Sequence, residues 1–233
     1  MSQELIFAEE IIQFLKGLEF KDPLPEGISI MNPYRDNPEI IPVISKFYHK
    51  FYNDSNLRYL ILGINPGRFG AGVTGIPFTD SKRLSEKCGL SIPGVNTFET
   101  SSVFVYEMID AFGGVEKFYK KYFVSAVCPL GFTAVSSKGK SINYNYYDSK
   151  KLTEAVRDFI IDNLTRQLEF GFKRDKCFCL GTGKNYKFLV QLNNELKFFD
   201  KIVPLEHPRY IMQYKSKQKQ SYIIRYIEEF RKV

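Results

Sequence analysis

Along the chain, short apolar runs alternate with longer stretches of helical periodicity. Residues 3–17 gather Leu5, Ile6, Ile11, Ile12, Phe14 and Leu15 on one side of a helix. Residues 22–38 are rich in Pro, Asn and Asp and read as loop. A second helix is expected over Ile40 to Tyr52. The apolar run from Leu57 to Gly63 has the pattern of a parallel strand buried on both faces. Three more runs follow, Tyr122 to Cys128, Cys177 to Leu180 and Ile202 to Leu205. Helical patterns over about 101–112, 149–170, 183–196 and 217–231 separate or follow them. The expected fold is a three-layer α/β/α domain over residues 1–233, with a central, mostly parallel four-stranded sheet. Such sheets bind ligands beyond the carboxyl ends of their strands, so the chemistry is sought in the segments after the four runs.

After the first run, residues 63–78 hold five glycines and two prolines in sixteen positions, a tight preshaped loop. They form neither GxGxxG nor GxxxxGK[ST], which argues against a nucleotide-binding loop. Asn65 in this loop orients a ligand or simply caps a turn. After the second run come Cys128-Pro129-Leu130 and a polar loop from Ser136 to Ser141, whose Lys138 and Lys140 either touch phosphates or are solvated. After the third, Gly181-Thr182-Gly183-Lys184 opens a helix and suits a phosphate, although Thr182 acting as a helix cap explains the same residues. After the fourth comes Glu206-His207-Pro208-Arg209-Tyr210-Ile211-Met212. His207 stands where a site is expected. His49, the other histidine, lies in the second helix and reads as packing or surface.

Charge sharpens this picture. The chain carries +7, yet residues 1–56 hold five Lys/Arg against nine Asp/Glu, a net of −4, leaving +11 on the rest. Residues 209–233 alone carry seven basic and two acidic groups. That asymmetry points to a polyanion partner. A His, an Arg and apolar side chains beside lysines suit a grip on distorted duplex, or the start of a basic amphipathic helix. No run of 18 apolar residues suggests a membrane span, and the N-terminus lacks the basic start and cleavage site of a signal peptide. Cys88, Cys128, Cys177 and Cys179 make no CxxC pair and no zinc spacing; they read as reduced core thiols of a cytoplasmic protein.

Gly63-Ile64-Asn65-Pro66-Gly67-Arg68-Phe69-Gly70 with Thr74-Gly75-Ile76-Pro77-Phe78 resembles the first catalytic motif of single-strand-selective monofunctional uracil-DNA glycosylases. Cys128-Pro129-Leu130 resembles their third-strand signature, and His207-Pro208-Arg209 their second catalytic motif, in matching order over roughly residues 57–215. The resemblance implies hydrolysis of the N-glycosidic bond of uracil or a related deaminated base in DNA. Asn65 would orient the water, His207 would bond the base carbonyl, and Phe78 would stack on the base, with Gly67 against its 5-substituent edge. Gly63, Ile64 and Ser125 would complete the base pocket. Arg209 with Tyr210, Ile211 or Met212 would fill the gap in the duplex, and Lys138, Lys140 and Lys184 would meet phosphates. The cysteines do not match the iron–sulfur arrangement of some members of this superfamily.

Two departures mark a variant subfamily. The second motif lacks the Ser-Pro that the family inserts before the Arg. The His-Asn that the family places before Cys-Pro-Leu, whose Asn reads the base edge, is replaced by Ser125-Ala126. Ala126 makes no such bonds, so selectivity for uracil alone is not expected; Asn96 is a candidate to supply the amide, or a turn residue. Neither motif contains a lysine for Schiff-base chemistry, so strand cleavage is not expected, and neither metal nor cofactor is needed. A monomer acting on DNA is expected. The competing readings are a non-catalytic nucleic-acid-binding module of the same fold, and a phosphoester enzyme built on Gly181-Thr182-Gly183-Lys184, which lacks carboxylates to hold magnesium.

Overall fold

The computed structural model describes residues 6–233; the part of the first expected helix at residues 3–5 lies outside them. The strands are β1 (Ile28–Met31), β2 (Arg58–Gly63), β3 (Tyr122–Ala126), β4 (Gly131–Val135), β5 (Ser141–Tyr144), β6 (Phe172–Leu180) and β7 (Lys201–Leu205). The helices are α1 (Phe7–Lys16), α2 (Pro33–Asp36), α3 (Ile40–Tyr52), α4 (Ala71–Thr74), α5 (Ser81–Cys88) and α6 (Thr100–Phe112). They continue with α7 (Val115–Lys121), α8 (Lys150–Leu168), α9 (Lys184–Leu196), α10 (Pro208–Tyr214) and α11 (Lys219–Arg231).

The expected four-stranded sheet is present, in the order β3-β2-β6-β7 and parallel throughout. Every residue of β2 is buried, as a strand covered on both faces requires. Its first residue, Arg58, is fully buried because its guanidinium bonds Asp54 and the Tyr119 and Asn56 carbonyls, and lies between the rings of Phe7 and Tyr52. On one face Tyr122, Phe178 and Phe230 interlock, with ring centroids 4.8–6.0 Å apart. On the other, Phe7 of α1 packs edge-on against Phe123 and Phe172. The third run, expected at Cys177–Leu180, is only the end of β6. Before it the register with β2 shifts, and Lys173–Lys176 bulge outward, which hid that half of the strand from an apolar pattern.

A second sheet, β1-β4-β5, is antiparallel and corrects the reading of residues 22–38 as loop. It positions the site. A Cβ added to Gly131 would lie 2.5 Å from the Pro66 carbonyl and 2.6 Å from Met31 Cε, so β1 and β4 press directly beneath the glycine loop that follows β2. The segment after β7 is helical as well: α10 starts on Pro208, whose missing N–H costs nothing at a first helical position.

Candidate active site

The carboxyl ends of β2 and β3, the loop after β5 and the start of α10 surround a cavity of about 360 Å³. Gly63, Ile64, Asn65, Gly67, Phe78, Ser125, Ala126, His207, Arg209 and Tyr210 all line it. Residues from the segments after the first and last parallel strands therefore meet in one place.

Asn65 follows the end of β2 and is clamped from the far side by the segment after β5. Its Oδ1 accepts from the Tyr146 N–H at 3.1 Å, and its Nδ2 donates to the Tyr144 and Pro66 carbonyls, each at 3.3 Å. Both amide hydrogens are thus committed, and the capacity left is one lone pair on Oδ1. The side chain can accept a hydrogen bond from water but has no proton to give or take.

Phe78 has φ 52°, a left-handed conformation that is rare for a bulky residue. Thr74 holds the turn beneath it: its hydroxyl contacts the Thr79 carbonyl at 2.6 Å and receives the Ile76 N–H. The strained backbone lays the Phe78 ring over Gly63, where any Cβ would come within 2.8 Å of the ring. Strain held in this way clusters at functional sites. The Phe78 and His207 ring centroids are 5.6 Å apart.

His207 is the N-cap of α10, and its Nδ1 accepts the Arg209 backbone N–H at 3.1 Å. A backbone N–H can only donate, so in the neutral ring the proton resides on Nε2. Burial, aided by the Arg209 charge, lowers the His207 pKa to about 4. At neutral pH the ring is an uncharged Nε2–H donor.

Glu99 belongs to the site and escaped the sequence reading. It is the N-cap residue of α6, lines the cavity, and packs its carboxyl into a cradle made by Gly67 and Gly70. A Cβ at Gly70 would fall 1.9 Å from Glu99 Oε2, and one at Gly67 2.8 Å from Oε1. Burial raises the Glu99 pKa to about 7, against the pull of Arg209 and with a push from Asp80. The signal lay in the glycines, whose missing side chains leave room for a neighbour. Gly70→Ala is expected to destabilise the protein by about 1–3 kcal/mol, the usual cost of overpacking. Adding Glu99→Ala should recover most of that loss in a denaturant double-mutant cycle; additive effects would show that the two do not touch.

Other assignments divide. Ser125 lies on the opposite face of β3 from Ala126, and its hydroxyl donates to Gln167 Oε1 at 2.6 Å. Asn96 is exposed and does not line the cavity, so it supplies no amide there. Met212 turns inward against the core and is absent from the cavity wall. The exposed side of α10 instead carries Tyr210 and Tyr214, 43% and 66% exposed, with ring centroids 5.5 Å apart at the cavity rim. They sit four residues apart and so share one helix face, which a loop reading could not show. Lys138 and Lys140 are exposed on the β4–β5 turn. Lys184 is the first residue of α9, with its ammonium 5.9 Å from the ring centroid of Tyr147, a cavity residue. The N-cap is Gly183, without a side-chain cap, so Thr182 does not close that helix. His49 is a surface residue bonded to Glu9. All four cysteines are buried and unpaired, and no metal-holding cluster occurs among the described residues. Among the same residues no helix is long and apolar enough to cross a membrane.

An amide with one free acceptor lone pair, a neutral imidazole donor and an aromatic face thus line one pocket on a parallel α/β/α frame. Residues 49–231 match the uracil DNA glycosylase superfamily, and the chain belongs to that superfamily of DNA glycosylases. Its structure is similar to the crystal structure of wild-type Pedobacter heparinus SMUG2, with 55% sequence identity over 98% of both chains and a TM-score of 0.95. No curated protein sequence matches the chain.

Proposed function

We propose that this protein is a monofunctional glycosylase that hydrolyses the N-glycosidic bond of uracil or a related deaminated base in DNA and leaves an abasic site. The observation that carries this reading is that Asn65 and His207 line one cavity, each with its hydrogen-bonding role fixed by a backbone partner.

Breaking the bond leaves cationic character on the sugar and negative charge on the base. The His207 Nε2–H donates to the base carbonyl oxygen where that charge grows, and because the ring is neutral no proton need be transferred. One preorganised donor of this kind contributes about 2.7–4 kcal/mol to the transition state. The free lone pair of Asn65 Oδ1 accepts from a water and turns its oxygen towards the sugar carbon. No general base is required once the sugar is cationic. Reaching the base means extruding it from the stack at a cost of a few kcal/mol. Stacking on Phe78 returns about 1–3 kcal/mol. Tyr210 and Tyr214 fill the vacated space, and Arg209, Lys138, Lys140 and Lys184 meet phosphates. Lys184→Ala should flatten the slope of log K against log salt by roughly one unit, as loss of one phosphate contact does. An unchanged slope would remove Lys184 from the interface.

The test is a set of oligonucleotides, each with one uracil, 5-hydroxymethyluracil, xanthine, hypoxanthine or thymine, incubated with chelator and then with alkali. Alkali-labile sites at uracil support the reading; inactivity on every base would leave a DNA-binding module of the same fold.

A further inference from the structure

β3 is the terminal strand of the parallel sheet, so one of its edges has no strand beside it. The direction of its peptide groups follows from two bonds. The Val127 N–H, just past the strand, donates to the Gly63 carbonyl, so odd-numbered residues turn their main-chain groups towards β2. The Tyr122 carbonyl accepts from the Tyr52 hydroxyl of α3, so even-numbered residues turn theirs to the free edge. Val124 and Ala126 therefore direct their N–H and C=O groups away from the sheet. Both line the cavity, and among the described residues no hydrogen bond satisfies those groups. The Tyr48 hydroxyl, on the same cavity, has no hydrogen-bond partner there either. Buried main-chain groups are almost always paired, so a run of unpaired ones at a cavity marks a place kept for a ligand.

We propose that the free main-chain edge of β3 at Val124 and Ala126 reads the flipped base, in place of a side-chain amide. This rests on the glycosylase reading above. The glycosidic bond has to stay at the cavity mouth, beside the exposed Arg209 and Tyr210, so the far edge of the base meets the buried wall. Along the strand the wall offers the Val124 N–H, the Val124 C=O and the Ala126 N–H: donor, acceptor, donor. Uracil and xanthine present the complement, carbonyl, N–H, carbonyl. Cytosine and adenine place an amino group and a bare ring nitrogen there, and guanine puts an amino donor against a donor. The substrate class is then any base with an imide edge, pyrimidine or purine, and the small side chain of Ala126 leaves that edge uncovered.

The experiment replaces Ala126 by its hydroxy-acid analogue, which exchanges the N–H for an ester oxygen and leaves the side chain unchanged. Single-turnover excision of uracil and of xanthine is measured for both proteins, with a thermal melt of each. The expected result is excision of both bases by the unaltered protein, a loss of about tenfold on each in the ester, the scale of one hydrogen bond, and an unchanged ratio between them. The melt should be lowered only slightly, because the ester makes the Ser125 carbonyl a weaker acceptor in the ladder with β2 but removes no bond within the protein. Unchanged rates would overturn the proposal, as would loss of folding, because the ester weakens a single ladder bond and an N–H without a partner in the protein has no bond to lose. Failure of the unaltered protein to release either base would instead overturn the glycosylase reading.

Discussion

His207→Ala should lower single-turnover excision of uracil by about 10²–10³-fold, the effect of removing one preorganised donor from a developing oxyanion. The ring caps α10 through Nδ1, so part of the change is structural, at about 1 kcal/mol for a lost cap; a melt separates that from the catalytic loss. The pH profile gives an independent check. The folded-state pKa of His207 lies near 4, below its ordinary 6.5, because the charged ring is disfavoured by burial and by Arg209. Lowering the pH through 6.5 should therefore leave the donor intact, and the acid limb due to His207 should fall near 4. Protonation there also ejects the Arg209 N–H from Nδ1. Stability linked to this group is full above the unfolded value and is lost as the pH falls through that window. Glu99 titrates separately, near 7. An inflection at that pH should vanish in Glu99→Gln and survive in His207→Ala. An acid limb at 6.5 that vanishes in His207→Ala would mean the ring works as an ordinary exposed imidazole.

Asn65→Ala should cost at least about 10²-fold in the same assay, again the scale of losing one positioned group. The variant removes the acceptor for water and also the clamp between the loop after β2 and Tyr144–Tyr146. DNA affinity should change far less, since phosphate contacts dominate it. Titration of a uracil-containing oligonucleotide against both proteins checks this. Near-normal excision by Asn65→Ala would remove the residue from catalysis, and an equal loss of binding and rate would make it a structural clamp alone.

The four parallel strands were legible, β6 only in its second half, because burial makes runs of apolar residues, and Asn65 and His207 because their motifs follow the first and last of those runs. The second sheet was not. Its strands are short and half-exposed, and Ile28–Met31 is held by pairing with residues 131–134, about a hundred positions away. Local pattern carries no trace of such a partner. α10 was hidden for a different reason: Pro208 and Arg209 look like loop, yet Pro is at home in the first turn of a helix. Once that turn forms, Ile211 and Met212 face inward and Tyr210 and Tyr214 outward, which keeps Tyr210 among the candidate wedge residues and adds Tyr214. Asn96 is an amide that a sequence displays; the direction of the main chain at Val124 and Ala126 depends on sheet order, which sequence does not display. Glu99 is conspicuous only when Gly67 and Gly70 are seen to leave room for it.

The most direct test of the central claim is the mass of a uracil-containing oligonucleotide after incubation with the protein in the presence of chelator. The account predicts one product, the intact strand with uracil replaced by a hydroxyl, together with free uracil in solution. An unchanged mass, or fragments from strand cleavage without alkali or heat, would contradict it.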